Sequence, residues 1–214
     1  IPLHTDGQFM TFPAFSYFKN WALRGHYPVW WVSDSIAGNI ADTGSAGPAW
    51  LIFTPLILLL KLENAWFLML FLMFLLAGLC LYVYLWRVTR HSLASLFAAV
   101  LFMRSEWVVD CLVEPQIQFF LFPLFLWCTE ELVSKRKISY LLAGSLCLLL
   151  LFLGSHANYP IYLIPFGFLY LLIRILQTYG ITSRFAFQLF LYGLLQCIFF
   201  LALTWFRIEN LTIV

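Results

Sequence analysis

Hydrophobic and polar positions divide this chain near residue 63. Before that point, polar and aromatic residues are mixed with glycine and proline, and no long apolar run forms. After it, long apolar stretches follow one another, separated by short turns that carry most of the charges. A helix crossing a bilayer needs about 20 mainly apolar residues. Residues 64–86 and 185–206 meet that requirement cleanly, and 138–155 comes close. Residues 91–109, 115–133 and 158–177 complete the set, with charges near one end of each. The pattern predicts an all-α fold, a polytopic transmembrane helix bundle of six spans over 64–214. An extracytoplasmic loop over 1–63 precedes it.

Within the loop, residues 14–24 have helical periodicity. Ala14, Phe18, Trp21 and Ala22 share one face, and Ser16, Asn20 and Arg24 share the opposite one. Gly25 suits the C-terminal cap and Pro13 the entry. Such a helix is expected to lie in the membrane interface with its aromatic face toward lipid. The glycines of residues 33–47 match no nucleotide-binding pattern, so that stretch reads as a flexible connector.

Residues 46–60 are apolar but short and contain Pro48 and Pro55, and counting them as a span would reverse everything that follows. Charge settles the choice. With six spans, Arg87, Arg90, His91, Lys135, Arg136, Lys137, Arg174 and Arg184 fall on one side, the cytoplasmic side by the positive-inside rule. Asp6, Asp34, Asp42, Glu63, Glu106, Asp110, Glu114 and Glu209 fall on the other. Residues 46–60 are therefore expected to be interfacial or re-entrant. Both ends of the chain then lie outside the cytoplasm, and a further span is expected before Ile1.

Composition strengthens the membrane reading. Of 214 residues, 63% are hydrophobic, 20% aromatic and only 10% charged, against about 25% charged in a soluble domain. A net charge of +2 gives no basis for nucleic-acid binding. The five cysteines are scattered without a CxxC, and four of them lie in apolar runs as small hydrophobes. No HExxH or His/Cys cluster suggests zinc.

The order of several short motifs resembles the start of the YfhO-type membrane proteins, within the wider GT-C class of lipid-linked-sugar glycosyltransferases. The matching pieces are Thr5-Asp6-Gly7, Gly25-His26-Tyr27-Pro28-Val29-Trp30 and the glycine-rich stretch from Gly38 to Pro48. Later pieces are the small-residue helix 93–102, Phe122-Pro123-Leu124 followed by Glu130-Glu131, and Gly154-Ser155-His156 followed by Tyr159 and Tyr162. Full-length members of that family are longer, with more spans and often an outer soluble domain. The resemblance implies sugar transfer from a polyprenyl-phosphate donor to an extracytoplasmic acceptor, at a bacterial inner membrane.

On that resemblance, Asp6 is the candidate general base for the acceptor hydroxyl; it can equally be a solvated loop carboxylate or a helix N-cap. Glu106, Asp110 and Glu114 recur every four residues, drifting about 40° per step around a helix. They can hold a divalent cation, position an acceptor, or form a hydrated loop. Arg104 can meet a lipid phosphate through its planar fork or mark the membrane boundary. His156 and Asn158, in the outer turn 154–160, are candidate substrate contacts. The partners expected are membrane lipid, the polyprenyl-phosphate sugar and further membrane protein subunits. The alternative is a non-catalytic membrane subunit that keeps the scaffold and packs in a larger complex. A transporter is less favoured, because the centres of the spans carry almost no ionisable groups.

Overall fold

The computed structural model describes residues 55–105, 117–154 and 158–180 continuously, together with Ser16, Lys19, Asn20, Leu23, Arg24, Phe53, Val108, Phe187 and Gly193. Five α-helices organise this part of the chain: α1 (Leu62–Thr89), α2 (Ser92–Met103), α3 (Gln118–Lys135), α4 (Ile138–Gly154) and α5 (Asn158–Tyr179). The expected span over 185–206 lies outside the described residues except for Phe187 and Gly193, both helical. Of the expected helix 14–24, Ser16, Lys19, Asn20 and Leu23 are helical, and Lys19 Nζ donates to the Leu60 carbonyl.

Helix α3 is the hub. It packs against α1, α4 and α5, while α2 has α1 as its main neighbour and α4 and α5 barely meet. Its burial follows from that position. Phe119, Phe120, Leu121, Phe125 and Leu126 are buried with Met69, Met73 and Ala77 of α1 and Leu148 and Leu151 of α4 in the main core, and Leu132 and Val133 form a second cluster with Leu171 and Ile175 of α5. Cys128 and Cys147 are buried there too, in keeping with cysteine acting as a small hydrophobe.

Close approach of α5 to α3 depends on one glycine. A Cβ placed on Gly167 would stand 2.7 Å from Cε1 of Phe125, too near for any real side chain there. Across the same ring, a Cβ on Gly144 of α4 would find Phe125 Cδ2 at an ordinary 3.6 Å. Phe125 is thus seated between two glycine-bearing faces, the small-residue packing typical of helices in lipid.

Outward-facing positions are apolar. On α1, Phe67, Phe71, Leu75 and Leu79 recur every four residues and are 60%, 59%, 39% and 50% exposed. Leu93, Phe97 and Leu101 do the same on α2 and Ile138, Leu142 and Leu146 on α4, while Tyr162, Phe166, Leu169 and Ile173 on α5 are exposed at intervals of three and four. Inside, by contrast, Ser95, Gln118, Thr129, Glu130 and Glu131 are buried. An apolar core is common to soluble proteins; here the outward faces along the helices are apolar as well, and two glutamates are buried. Two segments, α1 and Tyr162–Tyr179 of α5, are long and apolar enough to cross a membrane.

Helix α2 is shorter than the 91–109 stretch expected from hydropathy. It stops at Met103, where Ser105 turns back to donate to the Phe102 carbonyl from both its N–H (3.0 Å) and its Oγ (2.7 Å). Its 12 residues rise about 18 Å, less than a full crossing. Met103 sits against Gly78, part-way along α1.

Candidate functional site

Adjacent residues on an α-helix point about 100° apart. Glu130 and Glu131 near the end of α3 therefore address different neighbours. Glu130 turns to α5, where Arg174 Nε lies 2.6 Å from Oε1 and Nη2 2.8 Å from Oε2. Glu131 turns to α1, where Arg87 Nε meets its Oε1 at 2.7 Å. One turn on along α3, Lys135 Nζ meets Glu131 Oε2 at 2.5 Å. Both carboxylates are only 4% exposed.

A hydroxyl relay completes the cluster. Tyr84 of α1 donates to Tyr170 of α5 (3.1 Å), and Tyr170 donates to Glu130 Oε1 (2.5 Å). Gly167, Tyr170 and Arg174 are spaced three and four residues apart, so they share the face of α5 that meets α3. The close approach at Gly167 is what lets Tyr170 and Arg174 reach Glu130.

The outer part of the cluster is a second set of contacts. Arg136 Nε donates to the Tyr179 hydroxyl at 3.2 Å, and its guanidinium lies 4.6 Å from that ring's centre. Tyr179 in turn donates to the Val133 carbonyl. The Glu131 carboxylate beside Lys135, followed by the Tyr140 hydroxyl, holds its ammonium above the usual lysine range.

Chemically, this is a clasp. Buried carboxylates are costly unless paired and hydrogen-bonded, and both of these are. Each already faces an arginine, so neither is placed as a free proton acceptor for an incoming hydroxyl. The arrangement fixes the relative height of α1, α3 and α5 at their C-terminal ends.

Of the basic residues expected on one side, Arg87, Lys135, Arg136 and Arg174 lie at one end of the bundle, Arg87 and Lys135 on Glu131, Arg174 on Glu130 and Arg136 on Tyr179; Arg184 lies outside the described residues. The two glutamates, absent from the charge pattern drawn from sequence, lie among them. A signal for them was present. Two carboxylates inside an apolar helix require cations at the same depth, and Arg87, Arg174 and the i,i+4 partner Lys135 are the basic residues nearest that depth.

Of the residues expected to form a site, Asp6, Glu106, Asp110, Glu114 and His156 lie outside the described residues. Arg104 is exposed and follows the last turn of α2. Asn158 opens α5. Both are at helix ends remote from the clasp, on helices that do not share a main packing interface. Among the described residues, no group of three His, Cys, Asp or Glu is placed to hold a metal ion. No protein-family description, curated protein or solved structure matches this chain.

Proposed function

We propose that this chain is an integral membrane helix bundle of the GT-C glycosyltransferase kind, with the clasp as its cytoplasmic-side brace and sugar transfer at the opposite end. One observation carries the membrane part: the outward faces of α1, α2, α4 and α5 are apolar while the buried charges cluster at one helix end. The orientation rests on the basic residues gathered at that end. Sugar transfer rests on the order of motifs from Thr5-Asp6-Gly7 onward.

In this reading Asp6 takes the proton of the acceptor hydroxyl as its oxygen attacks the anomeric carbon. The bond from that carbon to the donor phosphate oxygen breaks, and polyprenyl phosphate leaves. Arg104, exposed at the end of α2, supplies a cation for the departing phosphate. The test is transfer of labelled sugar from polyprenyl phosphate in membranes holding the full chain or its Asp6→Asn variant. Loss of transfer at equal expression is expected; full activity in the variant overturns the assignment.

A second reading, a non-catalytic subunit of a membrane complex, is favoured by α2. Leu93, Leu96, Phe97, Val100 and Leu101 are all exposed on a helix that leans mainly on α1. Gentle extraction and native electrophoresis distinguish it, since a stable larger assembly is expected only there.

A further inference from the structure

The clasp uses its two carboxylates internally, which leaves the outer surface of that end with one sign of charge. Among the described residues, this end holds Arg87, Arg90, Lys135, Arg136, Lys137 and Arg174 against Glu130 and Glu131 alone. Arg90, His91, Lys135, Arg136 and Lys137 are exposed, whereas both glutamates are buried. The cations sit on two turns, one between α1 and α2 and the other between α3 and α4. Each turn is set by an arginine in the left-handed region, Arg90 at φ 60° and Arg136 at φ 57°. The Arg87–Glu131 pair ties α1 to α3 next to both turns and holds them at a common level.

Exposed apolar side chains border the cations directly. Trp86 and Val88 precede Arg90, Leu93 follows His91, and Ile138 follows Lys137. An acidic protein surface would leave this apolar rim wet. A bilayer surface satisfies both parts, with acyl chains on the rim and anionic headgroups on the cations. A tryptophan at the boundary is in keeping with that depth.

We propose that the Arg90–His91 and Arg136–Lys137 turns form a binding surface for the headgroups of anionic phospholipids in the adjoining leaflet. The proposal rests on the membrane reading but is independent of sugar transfer. Arg90 and Lys137 are the direct contacts, and the Arg87–Glu131 pair is the positioning element that keeps the two turns in one plane.

The test uses the full chain in nanodiscs containing phosphatidylglycerol and phosphatidylcholine, with the lipids retained on the purified protein counted by native mass spectrometry. Enrichment of phosphatidylglycerol over the bulk ratio is expected. The double variant Arg90→Ala/Lys137→Ala should lose most of it, at roughly fivefold per cation removed. Arg90→Lys/Lys137→Arg should keep it. Circular dichroism of each variant checks folding, because neither side chain belongs to the clasp. If the protein inserts into nanodiscs without enriching phosphatidylglycerol, or if the alanine variant enriches it equally, the proposal fails. If inorganic phosphate at matched ionic strength removes the enrichment as well as excess anionic lipid does, the surface is a phosphate site and the proposal again fails. A chain that does not enter bilayers at all overturns the membrane reading itself.

Discussion

Arg174 grips Glu130 with two nitrogens, Nε on one carboxylate oxygen and Nη2 on the other. This fork-on-fork geometry is the strongest form of side-chain ion pair. It joins α5 to α3 where Glu130 is almost fully buried, although Arg174 keeps a third of its side chain exposed.

Breaking that grip from one side should cost more than removing it altogether. Glu130→Ala leaves a partly buried guanidinium without its carboxylate, and a loss of about 2 kcal/mol is expected, between the values for exposed and buried pairs. The double variant Glu130→Met/Arg174→Met replaces the pair by apolar volume and should recover most of the loss. Retention of monodisperse protein after heating in detergent, read across the double-mutant cycle, measures both. Equal losses in the single and double variants would contradict the pairing.

Gly167→Ala should destabilise by about 1–3 kcal/mol, because the buried Phe125 ring has nowhere to go. Gly144→Ala should be tolerated or mildly stabilising, since its new methyl meets the same ring at an ordinary distance and alanine favours helix. Phe125→Leu should rescue the first variant and not be needed by the second. The heating assay above separates these outcomes.

Left-handed backbone at Arg90 and Arg136 gives a paired prediction. A non-glycine residue in that region costs roughly 1–2 kcal/mol, so Arg90→Gly should raise stability by up to about 1 kcal/mol. Arg136→Gly gains the same backbone relief but loses the ring and hydroxyl of Tyr179, and should be neutral or worse. A clear gain at both positions would argue against the Arg136–Tyr179 contact.

Lys135 gives the pH dependence. Its folded-state value is raised by Glu131, so the pair's contribution is complete below about pH 10.4, the ordinary lysine value. It is lost as pH climbs through the higher folded value. Lys135→Gln should therefore be less stable than the parent at neutral pH, with the difference shrinking at strongly alkaline pH. Thermal retention of the two proteins across that range checks the sign.

The helices were legible because apolar runs are long and their ends are marked by charge. Residues 64–86, 115–133, 138–155 and 158–177 foreshadow α1, α3, α4 and α5 to within a few residues. The early end of α2 was not legible, since hydropathy continues past Met103 and the Ser105 turn depends on local hydrogen bonding. The clasp was half legible. Its basic members stood out as flanking charges, but the choice of partner for each glutamate depends on which helix lies on which side of α3. That arrangement is set by contacts such as Phe125 against Gly167, which no periodicity reveals. Of the candidate site residues, Asp6, Glu106, Asp110, Glu114 and His156 lie outside the described residues, and Arg104 and Asn158 are placed only as the end of α2 and the start of α5.

Both ion pairs of the clasp span the same interval of chain, 44 residues from Arg87 to Glu131 and 44 from Glu130 to Arg174. Their order of birth is nevertheless opposite. When α3 leaves the ribosome, the partner of Glu131 has already been made, but the partner of Glu130 has not. At 5–20 residues per second, Arg174 follows Glu130 out of the ribosome by about 2–9 seconds. During that interval α3 carries one satisfied and one waiting carboxylate, so Glu130 must stay hydrated or shielded until α5 arrives.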